Sequence, residues 1–433
     1  MRRLSLLLLS LVCLYASTPI PAPSQAHPIL LRGGHIFPIH GPDFIGELLF
    51  DKGKIVALGN NLTIPEGTEV INIEGLRVYP GLIAASTTMG LVEINAVRAT
   101  RDVQEVGRLN PNVRAERAYN PDSELLPVAR SNGILLAHVI PQGSGMAGLS
   151  AVMMLDGWTW ESCTLKAPVG LHIHWPRVTI PDNPLKPGQT KKARENRDKT
   201  LKSFTEAVEN ARAYLKARRA GEQQVKDARW EAMLPVVEGK LPVFIHAQEL
   251  GQIKSAVLWA EEQDLKPVIV GGADAWRLTD FLKSHQVPVI YENVLNLPLR
   301  PDEPYDLRFA APAKLYRAGV KFCIAASSNT FEAPHQRNVP YEAAMAMAFG
   351  LPPEEALRSI TLSAAEILGV ANRVGSLEVG KDATLIVTDG DILQIPTHVK
   401  MAFIQGRKVD LNDRHKQLYQ KYKTKYQQLG IIK

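Results

Sequence analysis

Residues 78–90, VYPGLIAASTTMG, constrain this chain more than any other stretch. An apolar, partly β-branched run is interrupted at Pro80-Gly81 and gives way to the small hydroxyl residues Ser86, Thr87 and Thr88. The pattern predicts a strand that carries polar side chains to the mouth of a pocket.

The rest of the chain can be ordered around that strand. Apolar runs at 134–140, 170–175, 242–247, 267–271, 287–292 and 320–326 alternate with helical patterns, the signature of repeated βα units. With 78–88 they make seven strands, and an eighth is expected to be irregular or hidden in the insertions. QGSGMAGLS, residues 142–150, reads as a Gly-rich turn that lacks the lysine and spacing of a phosphate-binding loop. Short alternating runs also lie at both ends, before residue 73 and within 374–410, and neither set has enough strands to close alone. The charged region 183–239 spaces Phe204, Ala207, Val208, Ala211, Tyr214 and Leu215 at helical intervals, which predicts one or two outer helices. Residues 354–367 read as one further helix. In the tail, Leu418, Tyr422, Tyr426 and Leu429 form one stripe, expected to pack on the chain's own core; adhesion to a membrane through its lysines is the alternative.

The motif at 78–88 resembles the first barrel strand of the amidohydrolase superfamily, P-G-L-I-D-x-H-x-H, whose two histidines hold a catalytic metal. Pro80, Gly81, Leu82 and Ile83 fit; Ala84, Ser86 and Thr88 stand where the family has Asp and the two His. GSLEVGKDA at 375–383 and TLSAAEILGV at 361–370 match two more family segments, so the resemblance, to imidazolonepropionase-like members, covers most of the chain. It implies a distorted (β/α)8 TIM barrel over 77–373, a small β-sandwich from 27–76 and 374–410, and a C-terminal helix at 411–433. It also implies a hydrolase of non-peptide carbon–nitrogen bonds.

Metal-assisted hydrolysis needs ligands for a divalent ion, a bound water and a carboxylate to move the proton. Carried over residue by residue, the fourth-strand ligand falls on His172, the fifth-strand His on His246, the sixth-strand His on Gly271 and the last-strand Asp on Ser327. His172 and His174 alternate along one strand and offer a rearranged pair, with His138 or His246 as third ligand. Strand histidines hydrogen-bonded in a polar mouth are the other reading. Asp274 and Glu249 are the carboxylates nearest the expected mouth, as acid or base, or as solvated or capping groups. In the loop after the first strand, Arg98 and Arg101 suit a carboxylate ligand or an internal ion-pair network. The expectation is no cofactor, or one weakly bound zinc at His172 and His246. Two functions stay open: a hydrolase with a degenerate metal site, or a silent small-molecule binder or partner subunit of an active paralogue, with homo-oligomerisation a further alternative.

Arg2-Arg3 and the apolar run 4–15, followed by Ser24-Gln25-Ala26, predict a signal peptide cleaved after Ala26 and a periplasmic or extracellular protein. Val12 before Cys13 is too bulky for the usual lipid-attachment box. The formal charge of +6 falls to about +4 without Arg2 and Arg3, and nothing gathers it into a nucleic-acid stripe. Cys163 and Cys323 are too few for a disulfide framework, and whether they pair stays open. No other stretch approaches membrane-spanning length.

Overall fold

A computed structural model describes residues 20–182, 185, 187–221 and 225–432; the apolar run 4–15 of the expected signal peptide lies outside them. Five strands open the chain: β1 (Ile29–Ile36), β2 (Phe44–Asp51), β3 (Lys54–Gly59), β4 (Glu69–Asn72) and β5 (Arg77–Pro80). The middle supplies β6 (Leu82–Thr87), β7 (Ile134–Val139), β8 (Gly145–Leu149), β9 (Ala151–Met154) and β10 (Thr164–Lys166). It continues with β11 (Leu171–His174), β12 (Val243–Ala247), β13 (Pro267–Gly271), β14 (Val289–Glu292) and β15 (Phe322–Ala325). The end adds β16 (Leu385–Thr388), β17 (Val399–Ile404) and β18 (Arg407–Lys408).

The two ends meet in one sheet of order β18-β17-β16-β5-β1-β2-β3, with β4 beside β1. Its join is the antiparallel pair β5–β16, where Val78 opposes Val387. The far edge curls back: Ile55 N–H donates to the Lys381 carbonyl, Ala383 N–H to that of Gly53, and Lys54 Nζ meets Asp382 at 2.5 Å. Leu31, Phe50, Val78, Leu385 and Phe403 fill the inside. The GSLEVGKDA motif therefore staples the ends: Asp382 also takes Arg373 Nη2 at 2.7 Å.

The stretch 78–88 is not one strand. Pro80 closes β5 in the end sheet, and β6 begins at Leu82 in the middle of the molecule. Gly81 sits at the crossing, where an added Cβ would lie 2.8 Å from Leu135.

In the middle, β6 pairs parallel with β7, and β11 to β15 pair parallel in sequence order. All seven expected βα strands are present. The gap between the two sets is bridged by β8 and β9, which follow each other with only Ser150 between. β8 runs antiparallel to β11 and β9 antiparallel to β7. The reading of 142–150 as a turn is corrected: the glycines serve a strand. A Cβ on Gly148, at φ +136°, would come within 2.7 Å of the Val113 carbonyl, so the bare backbone lets the loop after β6 lie directly on β8. β6 in turn lies against β15.

The principal helices are α1 (Leu125–Arg130), α2 (Pro187–Arg219), α3 (Ala228–Val237), α4 (Leu250–Glu262), α5 (Leu307–Ala318), α6 (Val339–Ala348), α7 (Pro353–Ser359), α8 (Leu362–Ile367) and α9 (Arg414–Gln428). α2 buries Phe204, Ala207, Val208 and Ala211, the face its spacing marks, and turns most of its charges outward. The single helix expected at 354–367 breaks at Ile360-Thr361, where the Ile360 carbonyl accepts the Ile83 N–H and anchors β6. The expectation that the tail packs on the core is also corrected, since α9 buries none of its residues. Cys163 and Cys323 are buried and free. No helix among the described residues is long and apolar enough to cross a membrane.

Candidate functional site

The C-terminal ends of the parallel strands converge on a polar cavity of about 730 Å³ lined by Arg98, Arg101, His174, His246, Gln248, Glu292 and Ser327, among others. Alternation puts His174, His246 and Glu292 there from their strands, because every second residue faces inward, while Arg98, Arg101, Gln248 and Ser327 come from the segments beyond strand ends.

Four imidazoles cluster at the cavity: His174 and His246 line it, and His172 and then His138 are packed behind them. His138 on β7 is fully buried; its Nδ1–H donates to the Ala85 carbonyl at 2.8 Å and its Nε2 accepts from Ser150 Oγ at 2.8 Å. His172 on β11 stacks on Phe244 at 4.9 Å, and its Nδ1 shares a hydrogen bond of 2.9 Å with His246 Nε2. His174 stacks on His246 at 4.1 Å. Burial lowers all four, His138 and His174 to about 4, and the neighbouring imidazoles push His172 and His246 down further. Neutral rings fit this geometry, since one ring of the 172–246 pair must donate and the other accept.

Glu292, at the end of β14, also lines the cavity. One carboxylate oxygen accepts the Ser328 N–H at 3.2 Å. Burial raises this carboxyl above the ordinary range, with Ser86 beside it and Ser328 pulling it down less strongly. Ser86 Oγ and Thr88 Oγ1 are buried without a hydrogen bond of ordinary geometry, as are Nε2 of His172 and of His174. Buried polar atoms are normally satisfied; of these four residues His174 lines the cavity, Ser86 stands beside Glu292 and His172 is bonded to His246, whereas Thr88 is not among the lining residues.

The structure treats the expected residues unevenly. Ser86, His246, His172 and Ser327 come to the cavity or its wall. Ser327 Oγ, however, accepts the Asn329 N–H and shapes a turn. Gly271, at φ +100°, is covered by the Gln248 carboxamide. Asp274 faces away into a bidentate pair with Arg300, at 2.6 and 2.9 Å, and accepts the Leu250 N–H. Burial alone would raise its carboxyl, but Arg300 and that N–H hold it low. Glu249 pairs with Arg177 at 2.8 Å at the start of α4, outside the cavity lining. Arg98 and Arg101 are exposed at the rim, and the internal ion-pair network weighed for them is not found among the described residues.

Two lining residues, Glu292 and Gln248, are not marked by the family motifs. Glu292 had a signal, an acid at the mouth end of the apolar run VPVIYE. Gln248 had none, because its place depends on a neighbouring strand.

A catalytic divalent ion needs three or four donors at about 2.0–2.3 Å. Among the described residues no group of three or more His, Cys, Asp or Glu side chains is placed to hold one. His138 spends both nitrogens on protein partners, and the 172–246 bond turns two more donors toward each other. The residues present do not fit the family's metal.

The model of the amidohydrolase family matches residues 303–411. The amidohydrolase tasK of Hapsidospora irregularis is 23% identical over 416 residues, 84% of this chain and 40% of that protein. The imidazolonepropionase of Shewanella frigidimarina is 30% identical over 169 residues, 38% of each chain. The chain thus spans well under half the length of these curated relatives. The crystal structure of an amidohydrolase from Thermotoga maritima superposes with a TM-score of 0.79 at 26% identity, covering 88% of this chain and 99% of that one. Fold, motif placement and relatives agree: in sequence and in structure the chain is similar to the amidohydrolase superfamily.

Proposed function

We propose that this is an exported amidohydrolase-family protein, a distorted (β/α)8 barrel with a β-sandwich from both chain ends. Its degenerate metal site now binds a small polar molecule bearing a carboxylate. The observation that carries this reading is the pairing of His172 with His246 across the site where family members gather metal donors. Ser86, Thr88, Gly271 and Ser327 occupy the other ligand positions and supply hydroxyls or empty space, poor partners for zinc. Two rim guanidinium groups, Arg98 and Arg101, suit a carboxylate through charge-assisted hydrogen bonds. The imidazolonepropionase relatives are named for a propionate, an anion of that kind.

The test is titration calorimetry of the full protein with a panel of small carboxylates, beside metal analysis without added chelator. Binding that falls at least ~tenfold in Arg98→Ala with Arg101→Ala supports the reading. Stoichiometric metal lost on His172→Ala or His246→Ala overturns it.

Glu292 favours a second reading, hydrolysis of a non-peptide carbon–nitrogen bond without the family metal set. A buried carboxyl on the wall of a polar cavity is the right group to hand a proton to a departing amine. Amine release from a cyclic or linear amide, lost in Glu292→Gln while calorimetric binding persists, would establish it. No release by the native protein would dismiss it.

A further inference from the structure

The last helix, α9, carries an arrangement that neither the cavity nor the fold uses. Asp413 caps it, its carboxylate accepting the N–H groups of His415 and Lys416, so the helix begins at a fixed point. Near its start it is tied by the hydrogen bond between Arg337 and His415 and touches α1. Beyond that it leaves the body of the protein, and none of its residues is buried.

Residues three, four and seven apart share a helix face. Leu418, Tyr422, Tyr426 and Leu429 therefore lie on one stripe, joined by Tyr419, which is one turn from Tyr422 and two from Tyr426. Tyr419 is 67% exposed and Tyr422 49%. On one flank stand Arg414, Lys421 and Lys425; on the other, Lys416 and Lys423. Gln417, Gln420, Gln427 and Gln428 occupy the opposite face, and no Asp or Glu follows Asp413. An apolar and aromatic stripe bordered on both sides by cations, with uncharged polar residues behind, is the cross-section of a helix lying in a lipid interface.

The charges choose among occupants. A second copy would set Lys421 and Lys425 against their own kind with no acid on the helix to relieve them. The protein's own core is already closed without the stripe. An anionic bilayer answers both halves of the face, taking the tyrosine rings at headgroup depth and the lysines at its surface.

We propose that α9 is a membrane-surface helix that adsorbs the folded protein to anionic lipid without spanning it. The experiment uses the full protein in co-sedimentation with vesicles of phosphatidylcholine alone or mixed with phosphatidylglycerol. Binding is expected to the mixed vesicles only and to be lost in high salt. Lys421→Glu with Lys425→Glu should weaken it at least ~tenfold, and Leu418→Ser with Tyr422→Ser should weaken it with the charges intact. Because the helix buries nothing, each variant should keep the native melting temperature, which separates lost binding from lost fold. Equal binding to both vesicles, or none, overturns the proposal. So does binding to poly-glutamate but not to vesicles, which assigns the face to an acidic protein, and so does a dimer broken by Tyr422→Ser.

Discussion

Gln248 lies over Gly271, so close that a β-carbon at 271 would overlap its carboxamide. At the position where the resemblance expects a histidine, the room is filled by a side chain whose oxygen accepts the Ala273 N–H at 3.3 Å. The backbone there is also left-handed, at φ +100°, a conformation glycine takes freely and histidine does not.

Restoring the ligands therefore needs more than the four substitutions Ser86→His, Thr88→His, Gly271→His and Ser327→Asp. That variant should bind little zinc and lose about 1–3 kcal/mol of stability at residue 271. Adding Gln248→Ala should raise occupancy by clearing the overlap. Metal analysis after dialysis decides: a fourfold variant that fills with zinc while Gln248 stays would refute the steric account.

How much of this was legible in the sequence follows from the range of each interaction. The seven βα strands were readable because a buried parallel strand needs a local apolar run. The junction of the two ends was legible through GSLEVGKDA, although its reason, Asp382 held by Lys54 and Arg373, spans more than 300 residues. The break between β5 and β6 was hidden, because Pro80 and Leu82 are equally apolar and only pairing with β16 or β7 tells them apart. The same holds at the cavity. His172 and His246 were visible as residue types, but their mutual bond depends on the register of β11 against β12, which sets His174 opposite His246. Glu292 shows in the sequence only as an acid ending an apolar run, and its place at the cavity depends on the pairing of β14 with β13 and β15.

The imidazole cluster makes stability depend on pH in a known direction. A histidine unfolded near 6.5 that is lowered to about 4 when folded, as His138 and His174 are, binds more protons unfolded than folded between those values. Its stabilising effect is complete above pH 6.5 and declines as pH falls toward 4. Each such group removes about 1.4 kcal/mol per pH unit across that window. Denaturant midpoints should fall steeply from pH 6.5 to 5. His138→Gln, which keeps a donor and an acceptor, should flatten that slope; an unchanged slope would mean that His138 does not titrate on unfolding.

A buried ionic knot joins the middle of the molecule to the end sheet. Asp156 takes Arg130 Nη1 at 3.1 Å and Arg407 Nη1 at 2.7 Å, with its side chain only 3% exposed. Removing one member of a buried pair strands the other charges, at a cost of about 3–5 kcal/mol. Asp156→Ala should lower the denaturant midpoint by that measure while leaving carboxylate binding at the cavity intact. A change below about 1 kcal/mol would show that water reaches the two guanidinium groups.

The same knot reaches the expected cleavage point. Ala22 N–H donates to Asp156 Oδ2 at 3.1 Å, and Gln25 bridges the end sheet, donating to the Phe50 carbonyl at 3.0 Å and accepting from Gly53 N–H at 2.9 Å. Cleavage after Ala26 would remove all three bonds, each worth roughly 1 kcal/mol. It would also leave a carboxylate oxygen of Asp156 with one partner fewer. A chain starting at His27 should therefore unfold at lower denaturant than one starting at Ile20, with a nearly unchanged m-value because, among these residues, Ala22 alone is a hydrophobic side chain packed against the core. N-terminal sequencing of the protein isolated from its host and comparison of the two chains test this together. Equal midpoints would mean that residues 20–26 add nothing to the fold and that processing at Ala26 is free of cost.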